Sequence, residues 1–410
     1  GRFAIDLRPG DQLLPTPRPG MARLDWTFRD VSADYFGELP SIVAAAGSGY
    51  IDGLEFGLTV SGATAGGLQL SEGKLHVADL TVEPPVLDVA FVAHGPVSNA
   101  LAVLDAKPLG FAKALRITAG DTRGTSATRA LLRIPLDEDV TLARIGYSAA
   151  ANLAELSLSG IAGGYAVEGG EYTVSVEGGA LQISGRGRIN GVPLELTWKR
   201  NLQAGDASSG TNPSGHLTIR GTANGEQWKA LRLTPLPVLR GAVDMAVSID
   251  FYPGGTRRGA GRFDLTTAEL HWPDIGWNKP ATVPAAMNLT FQEEEAGELV
   301  LDRFEFSGGG LQFSGRAAFD KDQNLVSLNS DNFIFGATQL AVRAAPRAGG
   351  GYRVDLMGPS LDLRAFAPHL RDQGTSAEEP PLDLKMQIDR VCGFTAGGRD
   401  SESRSRSSSL

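Results

Sequence analysis

The sequence predicts a mainly β protein: an elongated, curled antiparallel sheet of repeated hairpins, with one or two short helices. Three observations predict it. Apolar and polar residues alternate along many short runs, turn-forming glycine and asparagine pairs separate those runs, and one phrase is written twice. The phrase reads GGALQISGR at 178–186 and GGGLQFSGR at 308–316.

The alternation has period two. Leu24, Trp26 and Phe28 are interleaved with Asp25, Thr27 and Arg29. Leu54, Phe56, Leu58 and Val60 form a second set, Tyr172, Val174 and Val176 a third, and Met245, Val247, Ile249 and Phe251 a fourth. Side chains of a strand point alternately to opposite faces, so each set is a strand with one apolar and one wet face. Antiparallel sheets with a solvated side give this pattern. Gly66-Gly67, Gly178-Gly179, Asn190-Gly191, Asn224-Gly225 and Pro253-Gly254-Gly255 supply turns between the runs. On the order of twenty strands are expected.

Helix is scarce. Ser98 reads as the N-cap of a helix over NALAVLDA, which Pro108 ends, and Phe111–Leu115 extends it after a kink. Residues 32–36 read as a single turn. The stretch from 227 begins as helix and is stopped by Pro235 and Pro237.

Composition narrows the function classes. Glycine is abundant, 52 of 410 residues, but scattered rather than periodic, which fits turns and bulges and excludes collagen. A net charge of −9 argues against a nucleic-acid partner and against broad capture by anionic surfaces. One cysteine, Cys392, permits no internal disulfide and no multi-thiolate zinc site. The five histidines match no metal spacing. There is no nucleophile elbow, zinc-protease helix or phosphate loop, so no enzyme, metal or cofactor is expected. Glu293, Glu294 and Glu295 read as a solvated hairpin tip, and Trp272 and Trp277 sit in a loop-like context beside Pro273. No apolar run reaches the roughly 18 residues of a membrane helix. The opening residues already read as the middle of a strand, so the chain is expected to be a fragment.

The doubled phrase places Leu181, Ile183, Gly185, Gly187 and Ile189 on one face. In the second copy Leu311, Phe313, Gly315, Ala317 and Phe319 share a face. Glycine inside a strand costs about 0.5–1 kcal/mol. A repeated cost implies a repeated need: a sharp bend, or something close against the backbone. Hairpin units reused in this way stack into an elongated sheet. Two ordinary sandwich domains with a chance similarity are the other reading. The expected divisions are a first sheet segment over 1–200 with its helix near 98–115, a loop over 201–215, a second segment over 216–390, and a disordered or non-native tail over 391–410. A further turn-rich loop covers 371–380.

The hairpin units, the L-x-I-x-G-x-G-x-I-x-G phrase, LDLRAF at 361–366, and LHVADLTVEPPVLDVAFVAHGPVSNALAVLDAKPLGFAKAL together resemble the AsmA-like family, specifically its YhdP type. The similarity runs over roughly residues 1 to 390. The resemblance implies a periplasmic β-groove in a Gram-negative envelope protein, tethered by an inner-membrane helix that this stretch lacks. It implies phospholipid as partner, moving in the groove between inner and outer membrane. The candidate lining is Leu181, Ile183, Ile189, Leu311, Phe313 and Phe319 from the two phrases. The flanking strands add Val174, Val176, Phe304, Phe306, Val247 and Ile249. The rival expectation is a ligand-free structural or adhesive β-solenoid.

Overall fold

The computed structural model describes the chain except residues 12–13, 15, 36–37, 108, 110–121, 138, 162–164, 203–211, 232–238, 295, 365–381, 395–399, 404–407 and 410. The chain divides into two units. One holds Gly1–Gly191 with Thr197–Gln203, the other Val192–Leu196 with Ala204–Leu410. The division falls inside a strand.

The first unit carries β1 (Arg2–Ile5), β2 (Ala22–Ala33), β3 (Ile42–Asp52), β4 (Glu55–Ala65), β5 (Leu68–Val77) and β6 (Val86–Pro96). Helix α1 (Val97–Asp105) follows, then β7 (Thr122–Pro135), β8 (Gly146–Ile161), β9 (Tyr165–Glu177) and β10 (Ala180–Ile189). Each strand pairs antiparallel with the next in sequence. Sequential pairing is a meander, and a sandwich would need Greek-key connections that this strand order lacks.

Strand β11 (Val192–Asn201) crosses the division. The second unit then runs β12 (Gly215–Asn224), α2 (Gly225–Ala230), β13 (Leu239–Arg240), β14 (Ala242–Phe251), β15 (Arg257–Asp264), β16 (Glu269–Trp272) and β17 (Trp277–Lys279). It continues with β18 (Ala285–Glu293), β19 (Leu299–Gly308), β20 (Leu311–Phe319), β21 (Leu325–Phe335), β22 (Thr338–Pro346), β23 (Tyr352–Asp362) and β24 (Leu382–Phe394). The main ladder is again a meander from β12 through β14, β15 and β18 to β23, all antiparallel. β24 joins β23 in parallel, the one departure from the expected antiparallel sheet among the described pairs. β13, β16 and β17 form a separate three-stranded sheet. At about 4.8 Å per strand, each unit's main ladder of ten strands spans about 45 Å.

The turns follow from local sequence. Gly66-Gly67, Gly178-Gly179, Asn190-Gly191 and Gly309-Gly310 all take positive φ at both residues. That is the mirror-image turn whose twist matches the strands it joins. Bulges then bend the strands. In the first unit Asp30, Ala44, Glu72 and Glu155 take φ of 53–54°. Each lies where the pairing shifts register, between Phe28 and Val31, Val43 and Ala46, Ser71 and Lys74, and Leu153 and Leu156. A bulge adds one unpaired residue, bends its strand and sharpens its twist. Four of them give this ladder a curl that a flat meander would lack.

Several local expectations change. Helix α1 starts at Val97 with Pro96 at the cap, and no side chain caps it, so Ser98 is inside the helix. The fixed φ of proline, −59° here, sets the entry instead. The turn expected at 32–36 is absent as far as Ala33, where β2 continues because its bulge keeps Val31 and Ala33 paired with β3. The extension at 111–115, the 371–380 loop and most of the 201–215 loop lie outside the described residues. β24 passes the expected tail boundary at 391, and short strands β25 (Asp400–Ser403) and β26 (Ser408–Ser409) pair with it.

Candidate functional site

Register places the apolar residues in rows that run across the strands. In the second unit one row reads Ile219, Val247, Gly261, Leu289, Phe304 and Gly315. The next reads Gly221, Met245, Phe263, Met287, Phe306, Phe313 and Phe333. A third reads Leu217, Ile249, Gly259, Phe291, Leu301, Ala317 and Leu328. In the first unit Phe91, Ala130, Ala149, Val176 and Leu181 form one row, and Ala93, Thr128, Ala151, Val174 and Ile183 the adjacent one.

All twelve sequence-derived lining residues are thus on described strands. Val174, Val176, Leu181 and Ile183 meet as cross-strand pairs in the first unit, with Ile189 opposite Val167 past a bulge. Val247 and Ile249 share a face with Phe304, Phe306 and Phe313 in the second unit. Phe319 lies opposite Leu299 and Leu325, and Leu311 opposite Gly308 and Phe335. Leu181, Leu311 and Phe304 are buried, and the other nine are half-buried.

Burial is graded along the strands. At one end of the second unit Ala223, Val243 and Leu265 are 0% exposed and Leu311 is 2%. Toward the other end Leu217, Ile249, Phe291, Leu301, Phe319 and Leu328 are half-buried, although Ala317 remains buried. The buried end has a cap. Trp228 of α2 packs edge-on against Phe263 at 5.3 Å. Trp277 of the small sheet meets Phe306 at 5.5 Å, and Trp272 meets Phe313 at 6.5 Å. Trp272 and Trp277 are therefore strand residues packed on the aromatic face, not loop residues. Lys279 is wholly buried within the cap, and its Nζ donates to the carbonyls of Thr266, Ala268 and Pro280. Burial lowers its pKa, and Asp264 opposes that shift.

The first unit is capped in the same way by α1. Val97 is buried, and Asn99 Nδ2 donates to the Gly67 carbonyl at 3.2 Å. Around it Ala63, Ala65, Leu68, Ala93, Leu156 and Tyr172 are buried. Away from it Ile51, Phe56, Leu75, Val89, Leu132, Tyr147 and Val176 are half-buried, although Val77 and Leu181 at that end are buried. The sequence pattern did not single out Phe91, Leu289, Phe291 or Phe333, yet they share the rows. The period-two signal contained them, but their row membership depends on register across several bulges.

The glycines of the doubled phrase have a geometric reason. A Cβ on Gly185 would lie 2.1 Å from the Glu171 carbonyl oxygen and 2.5 Å from Tyr172 Cδ1. On Gly315 it would lie 2.3 Å from the Asn329 carbonyl oxygen. Both sit beside register shifts, between Arg186 and Arg188 and between Ser314 and Arg316. Both needs raised by the sequence are met together: the chain bends, and a neighbouring strand comes close.

At the uncapped end of the second unit the last row turns polar. Phe251, Arg257, Glu293, Leu299 and Phe319 are successive cross-strand neighbours there. Arg257 Nη1 donates to Glu293 Oε2 at 3.0 Å. Glu293 is thus a paired strand residue, and Glu294 accepts from Thr256 and Gln292, whose hydrogen bonds lower its pKa. Glu295 lies outside the described residues. The polar face of the second unit carries a shallow depression of about 650 Å³ beside Arg220 and Arg262, and that of the first unit one of about 510 Å³ beside His76 and Arg133. Among the described residues no His, Cys, Asp and Glu cluster could hold a metal, and no helix is long and apolar enough to cross a membrane.

No protein-family model, curated protein or solved structure matches this chain.

Proposed function

We propose that this chain shelters phospholipid acyl chains on its apolar faces, as a periplasmic segment of a bridge-like lipid-transfer protein between inner and outer membrane. The observation that carries the reading is the burial gradient. Each unit fills its capped end with its own side chains, and beyond the cap most of the apolar rows stay half-buried. Apolar surface left in that state gains by being covered. An acyl chain supplies the cover: at about 0.8 kcal/mol per methylene, sixteen carbons gain on the order of 12 kcal/mol, comparable to the bilayer. Near-balance lets a lipid enter, slide and leave. The bulges that curl the first ladder and the resemblance of the hairpin units to AsmA-like proteins support the same reading.

Photo-crosslinking side chains at Ile183 and Ile249 test it, with native mass spectrometry of the purified chain. Capture of phospholipid at both positions is expected. Capture at neither overturns the proposal and leaves a ligand-free envelope scaffold, which the filled capped ends would also suit.

A further inference from the structure

The rows traced above are uncharged until the uncapped rim of the second unit. There a guanidinium and a carboxylate face each other on the apolar side, with Phe251 on one flank and Leu299 and Phe319 on the other. Their side chains are 42% and 31% exposed, so the pair is neither free in water nor sealed in the core. Beside the pair lie Glu294 and Arg258, one charge of each sign, each next in sequence to a member of the pair. Glu294 is held in place by Thr256 and Gln292, while Arg258 is turned onto the Tyr252 ring at 5.1 Å.

An ion pair at the edge of an oily surface has no obvious structural purpose at a hairpin end, where an exposed pair contributes little. Its geometry suits a ligand that is apolar on one side and doubly charged on the other. A chain lying on Ile249, Phe291 and Leu301 brings its polar end to Arg257 and Glu293. We propose that this pair reads a zwitterionic phospholipid headgroup bearing a primary ammonium. The inference rests on the lipid reading above. Arg257 takes the phosphate, whose oxygens match the guanidinium fork, and Glu293 takes the ammonium. One ion pair is exchanged for two, so no charge is left without a partner. A headgroup of net negative charge would satisfy Arg257 but leave the Glu293 carboxylate facing an anion.

The test offers the full chain vesicles containing equal parts of phosphatidylethanolamine, phosphatidylglycerol and diacylglycerol with matched acyl chains. Bound lipid is counted by native mass spectrometry. Phosphatidylethanolamine is expected to exceed phosphatidylglycerol by about tenfold, the scale of one charged hydrogen bond. Glu293→Gln should bring the two within about twofold, and Arg257→Gln should lower both phospholipids while diacylglycerol loading holds. Equal loading by the unaltered chain, or a preference untouched in Glu293→Gln, overturns the headgroup inference while the lipid reading stands. Failure to load any of the three overturns both.

Discussion

The indole N–H of Trp277 donates to the carbonyl oxygen of Gly309 at 3.0 Å, so a side chain of the small sheet is fastened to a hairpin turn of the large one. Gly309 takes φ of 57°, and a Cβ there would crowd Lys279 and Trp277 at 3.0–3.2 Å. The glycine turn thus lets the cap close down on the apolar face. Trp277→Ala is expected to destabilise the chain by about 3–5 kcal/mol, from the lost ring and the cavity left. Trp277→Phe keeps most of the ring and loses the hydrogen bond, for about 1 kcal/mol. Denaturant unfolding of the three proteins measures both steps, and equal losses in the two variants would show that the hydrogen bond, not the packing, holds the cap.

Glycines in these strands are not interchangeable. Gly185→Ala forces a methyl group against the Glu171 carbonyl and the Tyr172 ring, and a loss of about 2 kcal/mol or more is expected. Gly62→Ala meets nothing within 4 Å and needs no left-handed backbone, so it should be neutral or stabilising by up to about 1 kcal/mol. Thermal melts of the two variants should move in opposite directions or by clearly different amounts.

How much of this was legible beforehand depends on sequence distance. Phe56, Leu58 and Val60 declare their strand within six residues, so the alternation could be read directly. Asn190-Gly191 likewise declares its turn. The partnership of Trp277 with Gly309 spans thirty-two positions and two intervening strands, β18 and β19, and nothing local encodes it. HWPDIGWNK reads as a loop because its strands are only three or four residues long, broken by a short helical turn at Pro273–Ile275. Buried Lys279 was invisible for a further reason: lysine is almost never fully buried, and here three backbone carbonyls make the exception. The twelve residues named from alternation fall on the apolar rows that the register assembles. The gradient along each strand was missed, because it is set by caps that arrive from elsewhere in the chain.

The Glu55 cluster gives a pH signature. Tyr50 donates to Glu55 at 2.6 Å, and His76 Nε2 lies 3.0 Å from the same oxygen. The Tyr50 hydroxyl first, then His76, hold the Glu55 carboxyl below its usual 4.5, and the same contact raises Tyr50 above 10.0. For a carboxylate with a lowered folded pKa, the unfolded chain binds the extra proton. Its stabilisation is full above pH 4.5 and is lost as pH falls through the folded value. For Tyr50 the sign reverses: the contribution is full below pH 10 and is lost as pH rises through the raised value. Tyr50→Phe should therefore reduce both the acid and the alkaline slopes of unfolding free energy, leaving the middle of the range flat. Unchanged slopes in urea titrations at pH 3–5 and 9–11 would separate the cluster from stability.

Charged substitutions on the apolar rows should separate packing from passage. Phe313 lies 5.0 Å from Phe304 and 5.7 Å from Phe333, edge to face in both cases. Phe313→Glu removes three ring contacts and sets a carboxylate among rings that offer it no partner, so it should strongly destabilise the second unit, and the loss of lipid it causes is uninformative. Ile249 is half-buried and faces glycine, at Gly259, on β15. A glutamate there can turn its carboxylate to water, and the expected loss is about 1–3 kcal/mol, small enough to leave the fold in place. Ile249→Glu should then cut phospholipid co-purification at least several-fold while far-ultraviolet dichroism stays that of the unaltered chain. Full lipid content in a folded Ile249→Glu protein would mean that acyl chains do not lie on these rows.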